Sequence, residues 1–251
     1  FTMEDVLVEQ CGQYGVWAWG TGVIGRCTNV EVRQCRLSGM IAYNGAFITL
    51  IGAKTTVPHN CTKGDSDDYG LKVCNSFSTI QLVSPLTKEQ VSLDNGGGGN
   101  WGAAYGGDIN QIKTIAAVMT LANETTSNSS TSRDILQTLP TFMKKQILAF
   151  FGYKDYTLTG RTCQYLKRLW TEAIDKKRLP LFVPVDCNTL KEAVGRVHGD
   201  DRLTTIVLGQ GEHQIGSPYL EIASAMNIVG DPGVPKEKIV VVGGIRFKKG
   251  I

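Results

Sequence analysis

The sequence has no run of apolar residues approaching the about 20 that a bilayer-spanning helix needs, and no leader-like order at its start. It has only three His, at 59, 198 and 213, and no Cys-x-x-Cys pair. This removes the usual zinc spacings, and no metal or cofactor is expected. No Ser-His-Asp arrangement stands out, and Gly96 to Gly99 lacks the following Lys-Ser/Thr and helix of a phosphate loop. No catalytic residue is therefore assigned, and the reading leans away from an enzyme.

Large charge imbalance is also missing. With 26 basic and 23 acidic residues the formal net charge is +3, too little for a dedicated nucleic-acid binder. The basic clusters Lys144-Lys145, Lys176-Lys177-Arg178 and Lys248-Lys249 read as solvated surface. The seven Cys are odd in number and form no close-spaced framework, which predicts reduced thiols in an intracellular compartment, cytoplasmic or nuclear.

What is present is a 24-residue period. Val8-Glu9-Gln10-Cys11 returns as Val32-Arg33-Gln34-Cys35, and Gly15-Val16-Trp17-Ala18-Trp19 returns as Gly39-Met40-Ile41-Ala42-Tyr43. A period of this length, built from short apolar runs and Gly/Asn turns, predicts an all-β solenoid in which each repeat is one coil. Val57 to Cys61 and Tyr69 to Asn75 supply a third coil, its turn lengthened by Lys63-Gly64-Asp65-Ser66-Asp67-Asp68. Carboxylates at 65, 67 and 68 suit a hard cation, but a solvated turn is the preferred reading.

Residues 1–93 thus read as solenoid. Residues 94–132 read as a Gly-rich tail followed by a Ser/Thr/Asn linker. Residues 133–198 read as helical, with Ile135, Leu136, Leu139, Met143, Ile147, Leu148 and Phe151 at helical spacing and a short helix expected over 189–197. Residues 203–251 return to strands. Gly199-Asp200-Asp201 precedes them and reads as a turn.

The pattern Ile206-x-Leu208-x-x-Gly211-x-His213-x-Ile215, followed by Leu220-x-Ile222 and Ile228-x-Gly230 after a short helix, resembles the first coils of pectin-lyase-like proteins. The resemblance implies a right-handed parallel β-helix with a small α-helical insert or cap, similar to β-helix repeat proteins of unicellular algae. First coils then stand at the C-terminal end of this chain and later coils (1–93) at its start, the order of a circular permutant.

Strand alternation sorts the faces. Val16/Met40/Leu71 and Ala18/Ala42/Val73 are expected inward, and Trp17/Ile41/Lys72 and Trp19/Tyr43/Cys74 outward, because Lys72 is of a type rarely buried. Trp17, Trp19, Ile41 and Tyr43 would then form an exposed aromatic patch. Such a patch suits a protein partner or self-association, or a glycan. The alternative is that residues 103–178 pack over this face and bury it.

Leu139-Pro140, Ile147-Leu148, Phe151 and Cys163 resemble an F-box, with Leu166 where Trp stands in that family. This resemblance implies docking on the adaptor of an SCF ubiquitin ligase. A helical cap over the solenoid is the competing reading. The leading expectation is a non-catalytic binding or assembly scaffold. An F-box-like substrate receptor and a carbohydrate-binding or lyase-like protein are the alternatives.

Overall fold

The computed structural model describes residues 1–116, 180–200 and 203–249. The chain divides into two units, Phe1–Ala116 with Arg178–Ile251, and Ala117–Lys177; every described residue belongs to the first. The expected linker and the F-box-like residues Leu139, Pro140, Ile147, Leu148, Phe151 and Cys163 lie outside the described residues.

The described residues are mostly β, arranged as two sheets of parallel strands with two helices. The first sheet runs β12 (Leu181–Val183), β13 (Thr205–Leu208), β15 (Asn227–Gly230), β1 (Thr2–Glu4), β4 (Ile24–Thr28), β7 (Phe47–Ile51), β9 (Thr79–Val83), β11 (Ile112–Ile115). The second runs β5 (Glu31–Arg33), β2 (Leu7–Glu9), β16 (Ile239–Lys248), β3 (Val16–Trp19), β6 (Met40–Tyr43), β8 (Tyr69–Cys74), β10 (Gly99–Ala104), with β14 (Gly211–Ile222) beside β16.

β16 changes partner along its length. Val240–Val242 pair with β2, and Ile245–Lys248 pair with β3. β14 follows the same bend. The second sheet is thus two panels, and the chain builds three ladders in all. The sequence period is the register of these ladders: Thr2 pairs with Arg26, Leu7 with Glu31 and Val16 with Met40.

Inward positions stack into apolar columns. Ile206, Ile228, Met3, Cys27, Leu50 and Leu82 line the first ladder, and Val241, Val8, Val32 and Val57 the second. Leu220, Ile245, Val16, Met40 and Leu71 line the third. Nearly all are fully buried, and each apolar side chain sealed this way is worth about 1.5–3 kcal/mol.

The bends between ladders use left-handed backbone. Gln10, Gln34, His59 and Asp94 all have φ between 52° and 56° at the corner between the second and third ladders. Directly after them come Cys11, Cys35, Asn60 and Asn95, each bonding the carbonyl two residues back. Asn60 and Asn95 also accept from the backbone N–H of the neighbouring rung. At the start of the third ladder stand Gly15, Gly39 and Gly70, where a Cβ would come within 2.3 Å of Val32, 2.6 Å of Val57 and 2.2 Å of Ser92 respectively. Glycine recurs there because the corner leaves no room.

Two expected segments differ. The Gly-rich stretch is no tail: Gly99–Ala104 pairs with β8, and Ile112–Ile115 pairs with β9. Two of its glycines answer close contacts instead, since a Cβ on Gly98 or Gly102 would run into the Tyr69 ring at 2.5 or 2.3 Å. Within the stretch expected to be helical, Leu181–Val183 is a strand paired with β13.

Helix α1 (Lys88–Val91) sits beside β11. Helix α2 (Leu190–Gly199) begins at Thr189, whose hydroxyl accepts from the Glu192 N–H at 3.1 Å, while Glu192 accepts from the Asn188 N–H. Its buried residues Leu190, Ala193, Val194 and Val197 lie on one stripe against β12, β13 and β14, covering that end of the columns. Among the described residues no helix is long and apolar enough to cross a membrane.

Candidate functional site

The outward side of the third ladder is where the sequence places its aromatic patch. Register sets the residues in two columns. One runs Glu221, Arg246, Trp17, Ile41, Lys72, and the other Lys248, Trp19, Tyr43, Cys74. Trp17, Trp19 and Tyr43 are half-buried. Ile41 is not part of an exposed patch: it is 2 % exposed.

Arg246 organises the aromatic end. Its guanidinium carbon lies 4.1 Å from the Trp17 ring centre and 4.0 Å from that of Trp19. Cation–π contacts of this kind are worth about 0.5–2 kcal/mol, the upper end when desolvated. Trp17 is also ringed by edges, with Tyr14, Tyr219 and Tyr43 centred 5.2, 5.5 and 6.3 Å away. The Tyr219 hydroxyl donates to Gln13. Burial pushes the Tyr14 phenol up to about 12, aided by Asp68, Tyr105 and Tyr219.

Glu221 closes this end. Its carboxylate accepts from Arg246 Nη1 at 3.1 Å and from Lys248 Nζ at 2.6 Å. The Lys248 hydrogen bond is the main cause that holds its pKa below the usual carboxylate value, with the charges of Lys248 and Arg246 adding to it. Among the described residues two donors remain buried without a partner here, Trp17 Nε1 and Arg246 Nε.

The other end is built differently from expectation. Lys72 occupies an outward register position yet is 3 % exposed. Its ammonium lies 3.3 Å from Asp68 and 4.0 Å from Asp67, and 5.5 Å from the Tyr105 ring centre. Asp68 is buried too, accepting from Ser38 Oγ at 2.9 Å and from the Asp65 N–H at 3.3 Å. The 63–68 insertion is therefore pinned over the face by an ion pair. A hydrogen bond to Asp67 raises the Tyr105 phenol. Asp65, Asp67 and Asp68 make no metal cage: among the described residues, no group of three or more His, Cys, Asp or Glu could hold an ion.

Sequence reasoning overlooked Arg246, Lys248, Glu221, Tyr14 and Tyr219. A signal for the first two exists. Gly244-Ile245-Arg246-Phe247-Lys248 has the same glycine and alternation as Gly15-Val16-Trp17-Ala18-Trp19, and the two segments pair residue for residue. His213, in contrast, points inward and bonds the Gly209 carbonyl at 2.9 Å, a structural role.

The chain matches no family model, no curated protein and no solved structure.

Proposed function

We propose that this chain is a right-handed parallel β-helix of permuted order that serves as a non-catalytic protein-binding scaffold, including self-association. Three parallel ladders at a 24-residue register support the architecture. The pairing of β1 with β15 supports the permuted order. The contact surface is the outward side of the third ladder around Trp17, Trp19, Tyr43 and Arg246.

The carrying observation is the guanidinium of Arg246 lying over both indoles. It fixes two Trp and an Arg, the residue types enriched at protein-interface anchors, in one preorganised arrangement on a rigid ladder. The charged groups of the face engage one another, Glu221 with two cations and Asp68 with Lys72, which fits a surface rather than a reacting centre. A sugar platform requires an open ring face, and Arg246 already occupies one on each indole.

Molar mass by light scattering, on the parent and on Trp19→Ser/Tyr43→Ser, tests the reading. An oligomer that becomes a folded monomer supports it. An oligomer unchanged in the folded variant sinks self-association through this face. A parent that is monomeric, and whose cross-linked protein partners are all retained by the variant, sinks the reading as a whole.

A further inference from the structure

The basic end of this face is rich in donors and poor in acceptors. Among the described residues Arg246 and Lys248 share the single carboxylate of Glu221, and both of its oxygens are taken. Arg246 Nε and Trp17 Nε1 stay buried without an acceptor among the described residues. Arg246, Lys248 and Trp17 together carry about nine N–H donors against about four lone-pair sites on a carboxylate, so one acidic side chain cannot serve them in full.

The three charges are also layered. Glu221 and Lys248 are 42 % and 35 % exposed at the side chain, against 15 % for Arg246. The acid sits at the rim with the guanidinium beneath it, held over the indoles. Lys249, next in the chain, is exposed and adds positive charge.

Resting on the reading of this face as a contact surface, we infer that Arg246 and Lys248 receive an acidic side chain from an Asp/Glu-rich peptide segment of a protein partner, and that Glu221 is the chain's own stand-in for it. Charge complementarity selects the partner: two cations close together, steered by a donor surplus, favour a carboxylate over a neutral or basic ligand. The half-buried Trp19 and Tyr43 alongside supply area for the rest of the peptide. An anionic glycan is disfavoured because Arg246 already lies over both indole rings.

The test uses the full chain and poly-L-glutamate as probe, read by tryptophan fluorescence at low and moderate salt. Glu221→Gln removes the competing charge and is expected to tighten binding by about fivefold, the upper range for an exposed ion pair. Arg246→Met keeps an apolar stem over the indoles and is expected to weaken binding tenfold or more. Binding should fall as salt rises. Circular dichroism confirms that each variant is folded.

Unchanged or weaker binding by folded Glu221→Gln overturns the inference, as does full binding by folded Arg246→Met. Polygalacturonate bound with the same dependence on 221 and 246, and poly-glutamate not bound, would assign the site to glycans and overturn it too. The two readings fail separately. If Trp19→Ser/Tyr43→Ser abolishes association while the 221 and 246 variants leave poly-glutamate binding untouched, the contact surface stands and the acidic-peptide assignment falls.

Discussion

The backbone N–H of Cys35 donates to the side-chain oxygen of Asn60 at 3.1 Å across 25 positions of sequence. The amide of Asn60 meanwhile donates to the carbonyls of Val32 and Pro58 at 2.9 and 3.0 Å. One buried side chain thus serves backbone groups on two successive rungs. Asn60→Ala strands these groups away from water, each at about 1–3 kcal/mol. Urea unfolding should show a loss of about 3 kcal/mol, with no change in slope.

The pinned loop gives a second expectation. Lys72→Met leaves Asp68 buried with only neutral donors, and breaking a buried pair in this way costs about 3–5 kcal/mol. Lys72→Met/Asp68→Asn removes both charges and should recover much of that loss. A double-mutant cycle in urea measures the coupling, and additive losses would show that the pair does not hold the loop.

Glycine at the corner of the third ladder is a steric requirement. A Cβ at Gly39 would meet Val57 Cγ1 at 2.6 Å, Asn60 Nδ2 at 2.7 Å and the Gly70 carbonyl at 2.9 Å. Gly39→Ala should therefore destabilise by more than about 2 kcal/mol. Gly12, with nothing within 4 Å, is the control. Gly12→Ala should stay within about 0.5 kcal/mol of the parent in the same thermal melts.

Alkaline pH should unfold the protein through its thiols. Burial is the main cause that pushes Cys27 and Cys61 up to about 12 and Cys74 up to about 11. An unfolded thiol ionises near about 8.5. Between that value and the folded one the unfolded chain holds fewer protons, so stability is complete below about pH 8.5 and declines as pH rises towards 11–12. Each thiol contributes at most about 1.4 kcal/mol per pH unit in this window. Stability measured from pH 8 to 11 should fall, and Cys27→Ala should make the slope shallower by one proton.

Much of the ladder register is readable from the sequence because Gly15-Val16-Trp17 and Gly39-Met40-Ile41 repeat a steric demand together with an alternation. Helix α2 is readable as well, from Thr189 and the apolar stripe that follows. Gly99–Ala104 is not, because glycine and alanine carry no inward–outward signal, and at Gly102 the reason for glycine is the Tyr69 ring of the preceding rung. Lys72 misleads because a lysine is usually exposed, and only the folded loop brings Asp68 to it. Arg246 is hidden by the same habit: a charge in a strand reads as surface until the register lays it on two tryptophans.

The position of Thr2 has a consequence for how the fold assembles. It pairs on one side with Arg26 and on the other with Asn227. Most rungs join neighbours in sequence, but here the pairings of β1 with β15 and of β2 and β3 with β16 close spans of more than two hundred residues. Closing such a span costs about 2 kcal/mol more in chain entropy than closing a 24-residue turn. The segments on either side can grow rung by rung before that cost is met, so among the described residues the junction of β1, β2 and β3 with β15 and β16 carries the largest loop-closure cost.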